Sequence, residues 1–241
     1  MIDLSVIIPA YNEEKRIGFT LKKTCDFLAE RSWNYEIITV DDGSQDQTLR
    51  VIKEIALERD EIRVFRNVCN RGKGFSVRHG LEAARGRFIG FMDADYKTDI
   101  KSLDEVMMQL ENNAQVVIGD RTLQTTEILA RRSVLREFGS SAFKKLLRIL
   151  MGIRGYGDTQ CGFKFFREKV MRQVFALQKV DGYMFDVEIL LILGRMNCEV
   201  EKLPVVWSYD NDSRFNLISG TIKNLSELAS IRWRHRISQY K

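Results

Sequence analysis

The first 120 residues alternate between short apolar runs and longer segments with helical periodicity. Successive residues in these runs are apolar, without the alternation of polar and apolar positions that a half-exposed strand shows. This indicates strands that are buried on both faces of a sheet. We therefore expect an α/β fold with a doubly wound, mostly parallel sheet and helices on both of its faces. The predicted strands are residues 4–8, 35–40, 61–65, 87–92 and 115–118, and the predicted helices are 13–31, 45–59, 73–84 and 102–111.

Length and composition favour one domain. The chain has 241 residues, of which 44% are hydrophobic and 29% charged, as in an ordinary folded domain. No Gly-, Ser- or Pro-rich linker divides it, so we expect a single domain over residues 1–241 with two halves, 1–120 and 121–241. Its four cysteines lack metal-binding spacing and are expected to be reduced, and no apolar run reaches the roughly 18 residues that span a bilayer.

Acidic residues follow three of the predicted strands. Parallel strands present their carboxyl ends at one edge of the sheet, where such folds bind ligands. The acids are Glu13 and Glu14 after the first strand, Asp41 and Asp42 after the second, and Asp93 and Asp95 after the fourth. Clustered like charges cost stability unless they are neutralised, and a divalent cation with a phosphate-bearing ligand would do this. The alternative is that each acid caps the following helix, which is less expected at three strand ends at once.

The same three segments resemble the family-2 glycosyltransferases. They read VIIPAYNEE at residues 6–14, VDDGSQDQT at 40–48 and DAD at 93–95. The resemblance implies a GT-A fold whose first half, 1–120, binds a nucleoside-diphosphate sugar. It also implies that the enzyme requires Mg²⁺ or Mn²⁺ as a cofactor. It also implies site residues: Asp93 and Asp95 as metal ligands, and Pro9, Ala10, Tyr11, Glu13, Asp41, Asp42, Lys73, Asp93 and Ala94 as nucleotide-sugar contacts.

Further segments are similar to the dolichyl-phosphate glucose and mannose synthases. These are NRGKG at 70–74, IGDR at 118–121, DTQCGFK at 158–164, and Trp207 followed by Ser213 and Arg214. The resemblance implies an inverting transfer of a hexose to a polyprenyl or dolichyl phosphate, with UDP-glucose favoured over GDP-mannose as the donor. The chain departs from the pattern at Asp120, where a Ser is usual, and at Lys97, where mannose synthases have Gln. A lysine there is not expected to ligate a metal, so coordination would depend on Asp93, Asp95 and the diphosphate.

A phosphate acceptor is already anionic near neutral pH, so it needs cations to position it rather than a base. We expect Arg121, Arg131 and Arg214 to hold that phosphate, and we assign the catalytic roles to Asp95, Arg121, Arg131 and Gln160. Asp186 and Glu188, which open an apolar helical segment, either contribute to the site or only favour the helix dipole. No catalytic role is assigned to His79 or to His235, which stands in a basic tail.

Basic charge is concentrated in residues 131–154, which hold seven Arg or Lys and one acid. Within it, residues 133–153 have amphipathic periodicity, which favours a helix at an anionic membrane surface; the alternative is a helix packed on the core. The C-terminal segment 218–240 is a second candidate for contact with a membrane or a membrane-embedded partner subunit. We expect a peripheral protein on the cytoplasmic face of the membrane, with the lipid-phosphate acceptor in the second half of the chain.

Other functions were considered against these motifs. An acceptor with a sugar hydroxyl, as in the synthesis of cell-surface glycans, would require a general base, for which Asp158 or Asp186 is the candidate. A non-enzymatic basic protein that binds nucleic acid or membranes is disfavoured, since no reader motif is present and the acidic strand ends would repel a polyanion. No nucleic-acid partner is therefore expected. A dinucleotide-binding dehydrogenase is excluded because no GxGxxG follows the first strand.

Overall fold

The structure is a computed structural model that describes residues 1–126, 147, 151–153, 155–208 and 217–235, the side chains of 217–222 excepted. Its strands are β1 (Leu4–Ala10), β2 (Tyr35–Asp41), β3 (Ile62–Arg66), β4 (Phe88–Phe91), β5 (Val116–Gly119), β6 (Lys164–Arg167) and β7 (Val200–Leu203). Its α-helices are α1 (Ile17–Ala29), α2 (Thr48–Ala56), α3 (Lys73–Ala83), α4 (Leu103–Glu111), α5 (Glu168–Leu177), α6 (Phe185–Arg195) and α7 (Leu217–Arg234), and a 3-10 turn spans Ile100–Ser102.

The seven strands form one mixed sheet in the order β3-β2-β1-β4-β6-β5-β7. All neighbouring pairs are parallel except those of β6, which runs antiparallel to β4 and β5. The chain winds outward from β1 through β2 to β3 and then returns to place β4 on the other side of β1. The carboxyl end of β1 is therefore a switch point of the topology, where open α/β sheets leave a crevice for ligands.

Helices cover both faces of the sheet, as the uninterrupted apolar strands predict. Ile7 faces one buried cluster, which includes Val77 of α3 and Phe185 of α6. Its neighbour Ile8 faces the other cluster, together with Leu21 of α1 and residues of α4. Burial on both faces explains why no polar residue alternates along β1, and it confirms the predicted fold class.

All five predicted strands and all four predicted helices are present, with differences at their ends. The largest difference is at α1, which begins at Ile17 rather than at residue 13 because residues 11–16 form a loop that belongs to the candidate site. The strands β6 and β7 were not predicted. β6 comes from the second half of the sequence, yet it lies between β4 and β5 of the first half.

Most of the predicted amphipathic segment 133–153 lies outside the described residues. Of its members, Leu147, Met151 and Ile153 are described, and they are buried in the same cluster as Ile7. Arg131 and Arg214, two of the expected phosphate ligands, also lie outside the described residues. Among the helices that the structure describes, none is both long and apolar enough to cross a membrane.

Candidate active site

The loops after β1 and β2 are hydrogen-bonded to each other at the switch point. The amide of Asn12 donates to Ser44 Oγ (2.9 Å), and the side chain of Asn12 in turn accepts from the amide of Gln45 (2.8 Å). The amide of Glu13 donates to Thr48 Oγ1 (2.6 Å). Asn12 has a φ of 55°, in the left-handed region that Asn tolerates better than most residues. These bonds give the predicted nucleotide loop one defined shape before any ligand binds.

The predicted members of this loop differ in exposure. Pro9 and Ala10 are the last residues of β1 and are buried, whereas Tyr11 is exposed. The carboxylate of Glu13 is paired with Arg16 at 2.6 Å. The side chain of Tyr11 is thus open to solvent at this edge of the sheet, whereas Pro9 and Ala10 are withdrawn into the strand.

Asp41 and Asp42 have different roles. Both oxygens of Asp42 accept hydrogen bonds from protein groups: Asn67 Nδ2 (2.7 Å), the amide of Arg71 (3.0 Å) and the amide of Gly72 (2.8 Å). Asp42 therefore holds the basic turn 70–74 in place. Asp41 is fully buried, and its Oδ2 accepts no hydrogen bond from a described residue, although Arg66 Nε lies 3.3 Å away in a poor geometry for one. Of the two acids, Asp41 is thus the one with a carboxylate oxygen that accepts no hydrogen bond from a described residue.

The Asp93-Ala94-Asp95 segment follows β4 on the other side of β1. Lys73 Nζ lies 2.6 Å from Asp93 Oδ1, and Lys97 Nζ lies 3.0 Å from Asp95 Oδ2. The buried Ala94 anchors the turn through its carbonyl, which accepts from Thr20 Oγ1 at 2.6 Å. Each acid of the predicted metal pair is thus within contact distance of a lysine.

Lys73 links the exposed part of the site to a buried charge cluster. Its Nζ lies 3.8 Å from Asp186 Oδ2, and the other oxygen of Asp186 accepts from the fully buried Lys164. Burial opposes the charge on Lys73, yet Asp93 and Asp186 raise its pKa above the ordinary value. Burial likewise opposes the charge on Asp93, but Lys73 keeps the pKa of that carboxyl below its usual range. Asp186, whose role the sequence left open, therefore contacts the site through Lys73.

Arg121 is bound to Asp158 rather than left free. Its guanidinium forms a fork with the carboxylate, with Nη2 2.9 Å from Oδ1, and it lies 5.3 Å from the centre of the Trp207 ring. Burial disfavours the charge on Asp158, but the hydrogen bonds and charge of Arg121 lower its pKa to about 2. A phosphate that binds Arg121 must therefore share it with Asp158.

The residues of the DTQCGFK turn contact several other residues of the site. Asp158 binds Arg121, Lys164 binds Asp186, and Gly162 lies against Asp93, where a Cβ would come within 2.2 Å of Oδ2. The amide of Gln160 donates to Asp158 Oδ1 (3.1 Å), while its side chain is 4.0 Å from Met184 Sδ. Three residues of one turn thus touch three separate parts of the site, whereas the hydrogen bonds of Gln160 to described residues go to Asp158 and Met184.

Glu188 and His235 form a buried pair that the sequence did not indicate. His235 is 5% exposed, and its Nε2 lies 2.7 Å from Oε1 of the fully buried Glu188. The other oxygen of Glu188 accepts from the amides of Lys179 and Val180 at 3.0 and 2.7 Å. His235 stands among arginines in the sequence, yet its own side chain is buried because the end of α7 packs onto α6. The pair could have been inferred only from the burial of both side chains, and the periodicity of the sequence does not indicate that His235 is buried.

The carboxylates of Asp93 and Asp95 fit a divalent cation that takes its remaining ligands from a bound molecule. Both side chains offer hard carboxylate oxygens, and that of Asp93 is 41% exposed. No group of three or more His, Cys, Asp or Glu that could hold a metal occurs among the described residues. Two carboxylates suit a metal that also binds the oxygens of a diphosphate.

A mixed seven-stranded sheet with helices on both faces, and with acids at the carboxyl ends of β2 and β4, is the architecture of the GT-A glycosyltransferases. The chain belongs to glycosyl transferase family 2, whose model matches residues 5–175. It is an enzyme that transfers a glycosyl group.

Relatives and solved structures agree with this assignment. The chain is 33% identical to the dolichyl-phosphate beta-glucosyltransferase of Dictyostelium discoideum, and the match covers 100% of this chain and 77% of that one. It is 34% identical to the protein of that name from Saccharomyces cerevisiae, again over 100% and 77% of the two chains. Among solved structures it resembles glucosyl-3-phosphoglycerate synthase from Mycobacterium tuberculosis in complex with Mg²⁺ and UDP. That match has a TM-score of 0.67 and 19% identity, and it covers 96% of this chain and 80% of the other.

Proposed function

We propose that this enzyme transfers glucose from UDP-glucose to the phosphate of a dolichyl or other polyprenyl phosphate, with inversion at the anomeric carbon and with Mg²⁺ or Mn²⁺. The names of its relatives support this acceptor and this sugar. GDP-mannose is the next candidate donor.

The observation that favours a phosphate acceptor is that the two carboxylates which could act as a general base are already paired with basic side chains. A hydroxyl acceptor needs a general base, and the two candidates were Asp158 and Asp186. Asp158 is paired with Arg121, and its pKa is about 2, which makes it a very weak base. Asp186 is buried between Lys164 and Lys73. A phosphate monoester is already anionic and needs neither.

We place the donor at the carboxyl end of β1, where open α/β sheets bind ligands. Asp41 Oδ2, which accepts no hydrogen bond from a described residue, is proposed to accept from a ring N–H of the base, and the loop from Pro9 to Glu13 to contact the base and ribose. Lys73 stands at the start of α3 on the diphosphate side. Asp93 and Asp95 would hold the metal, which stabilises the charge that develops on the departing diphosphate.

The acceptor phosphate is positioned by arginines opposite the leaving group. Arg121 is held rigid by Asp158 and by Trp207, so it can present its guanidinium edge at little entropic cost. Arg131 and Arg214 are proposed as further ligands, and Gln160 as a neighbour of the reacting groups.

Contact with the membrane is proposed for the last described helix. On α7, Trp233 is 75% exposed and Leu225 is 43% exposed, and they lie eight residues apart on one face of the helix. An exposed tryptophan beside Arg232 and Arg234 suits a peripheral position at an anionic surface. We propose that this is the cytoplasmic face of the membrane, with a membrane-embedded partner subunit as the other candidate surface.

The test is transfer by the purified protein to a short polyprenyl phosphate, with UDP-glucose and GDP-mannose compared in Mn²⁺, Mg²⁺ and EDTA. We expect glucose transfer that requires the metal and is abolished by Asp95→Asn. Asp60→Asn, which removes an exposed acid beyond the end of α2, is the matched control and should be fully active. Transfer to a sugar hydroxyl but not to the lipid phosphate would contradict the proposal and favour the alternative.

A further inference from the structure

The acidic end of β4 is neutralised by lysines of this chain. Asp93 contacts Lys73, and Asp95 contacts Lys97. Asp186, which shares Lys73, is also bound to Lys164. These three carboxylates are matched by three ammonium groups, so the described residues leave no uncompensated charge here that would draw in a divalent cation.

The position of Lys97 is set by its backbone. Tyr96 has a φ of 54°, and this turn lets the amide of Lys97 donate to Asp95 Oδ1 at 3.3 Å. The carbonyl of Lys97 accepts from the amide of Ser208 at 2.8 Å, and Thr98 pairs with Trp207. The lysine is thus anchored at its backbone on two sides, while its flexible side chain reaches back to the carboxylate.

The ammonium of Lys97 covers the oxygen that a metal would use. Its side chain is 20% exposed and that of Asp95 is 18% exposed, so the pair is largely withdrawn from water. An ammonium 3.0 Å from Oδ2 and a divalent cation bonded to the same oxygen exclude each other by size and by charge repulsion. A diphosphate, in contrast, attracts the ammonium and supplies further ligands to the metal.

We propose that Lys97 is the resident counter-ion of Asp95, which the metal replaces only when a nucleoside diphosphate draws the ammonium away. Lys97 is then a positioning residue that makes metal binding conditional on the donor. The inference rests on the proposed function, because it requires a nucleoside diphosphate at this site. Its thermodynamic consequence is reciprocal: UDP raises the affinity for Mn²⁺, and Mn²⁺ raises the affinity for UDP by the same factor.

The experiment measures Mn²⁺ binding through the electron paramagnetic resonance signal of the free ion, with and without UDP. For the unmodified protein we expect UDP to raise the affinity for Mn²⁺ about 10-fold or more. Lys97→Gln should bind Mn²⁺ about 10-fold more tightly than the unmodified protein in the absence of UDP, and should lose most of the enhancement by UDP.

Two variants serve as controls. Lys97→Arg keeps a cation at the position and should behave more like the unmodified protein than Lys97→Gln does. Lys101→Gln removes an exposed lysine four residues along the chain and should leave both affinities unchanged. Equal Mn²⁺ affinity of Lys97→Gln and the unmodified protein without UDP would overturn the inference.

Calorimetry of UDP binding, first in EDTA and then with Mn²⁺, separates this inference from the proposed function. If UDP binds but Lys97→Gln leaves Mn²⁺ affinity unchanged, the inference fails and the proposed function stands. If UDP does not bind even with Mn²⁺, the donor assignment fails, and the inference fails with it. Circular dichroism and urea unfolding of each variant confirm that a lost signal does not reflect a lost fold.

Discussion

Gly162 shows at the scale of one residue how closely the site is packed. A Cβ at this position would lie 2.2–2.4 Å from three atoms of the Asp93 carboxyl group. Gly162→Ala should therefore push Asp93 away from Lys73 and reduce transfer about 100-fold, as expected for a misplaced catalytic group, with the fold retained. Initial rates and urea unfolding of the variant check both parts.

Gly194→Ala is the matched control, since a Cβ at that exposed position in α6 meets nothing within 4 Å. It should leave the rate unchanged and raise helix stability by up to about 1 kcal/mol. Full activity of Gly162→Ala would show that Asp93 can move without consequence, and it would remove Asp93 from the proposed machinery.

Asp158 provides a prediction about pH. Because its pKa is lowered to about 2, its ion pair with Arg121 stabilises the fold above pH 4 and is lost as the pH falls towards 2. Asp158→Asn should therefore lower the free energy of unfolding by about 2 kcal/mol at pH 7, and the difference from the unmodified protein should shrink between pH 4 and pH 2. Urea unfolding at pH 7, 4 and 3 measures this trend.

The comparison for that prediction is Asp26→Asn, which removes the surface pair between Asp26 and Arg59. Asp26 has a side chain that is 60% exposed, and such pairs contribute at most about 1 kcal/mol. A cost for Asp158→Asn no larger than that of Asp26→Asn would contradict the structural role assigned to the Arg121–Asp158 pair.

At the scale of elements, Glu188 joins helices α6 and α7 to the segment that precedes α6. Its removal leaves the amides of Lys179 and Val180 and the ring of His235 without their acceptor in a buried place. Glu188→Ala should cost about 3 kcal/mol and should loosen the end of α7. Hydrogen exchange is expected to accelerate in residues 178–180 and 231–235 before it does so in β1.

Glu201→Ala, at an exposed acid on β7, is the control for this element and should change neither stability nor exchange. Unchanged exchange at residues 231–235 in Glu188→Ala would mean that the pair with His235 does not hold α7 in place.

At the scale of the whole molecule, donor binding should stabilise the native state. A ligand at 100 times its dissociation constant adds about 2.7 kcal/mol, which corresponds to a rise in Tm of roughly 5–10 °C for a chain of this size. We expect UDP with Mn²⁺ to produce such a rise, and GDP with Mn²⁺ a smaller one. Differential scanning fluorimetry measures both; a larger shift with GDP would reverse the proposed preference for the donor.

The class of fold and the position of the acids at one edge of the sheet follow from the amino-acid sequence alone. The apolar runs of β1, β4 and β5 predict strands covered on both faces, and a strand's direction dictates where its carboxyl end lies. The acids at residues 41–42 and 93–95 are therefore assigned to one edge of the sheet by their positions in the chain. The resemblance of the DTQCGFK turn to the dolichyl-phosphate glucose and mannose synthases is likewise visible in the sequence alone.

What each charged residue contacts depends instead on the tertiary structure. Asp41 and Asp42 are adjacent and chemically identical, yet Asp41 lies beside Arg66, whereas Asp42 holds the turn 70–74 by hydrogen bonds. The pairing of His235 with Glu188 depends on how the end of α7 packs onto α6. Local sequence encodes periodicity and turn chemistry, but contacts between distant segments are selected by packing and desolvation of the whole chain, so no local pattern revealed them.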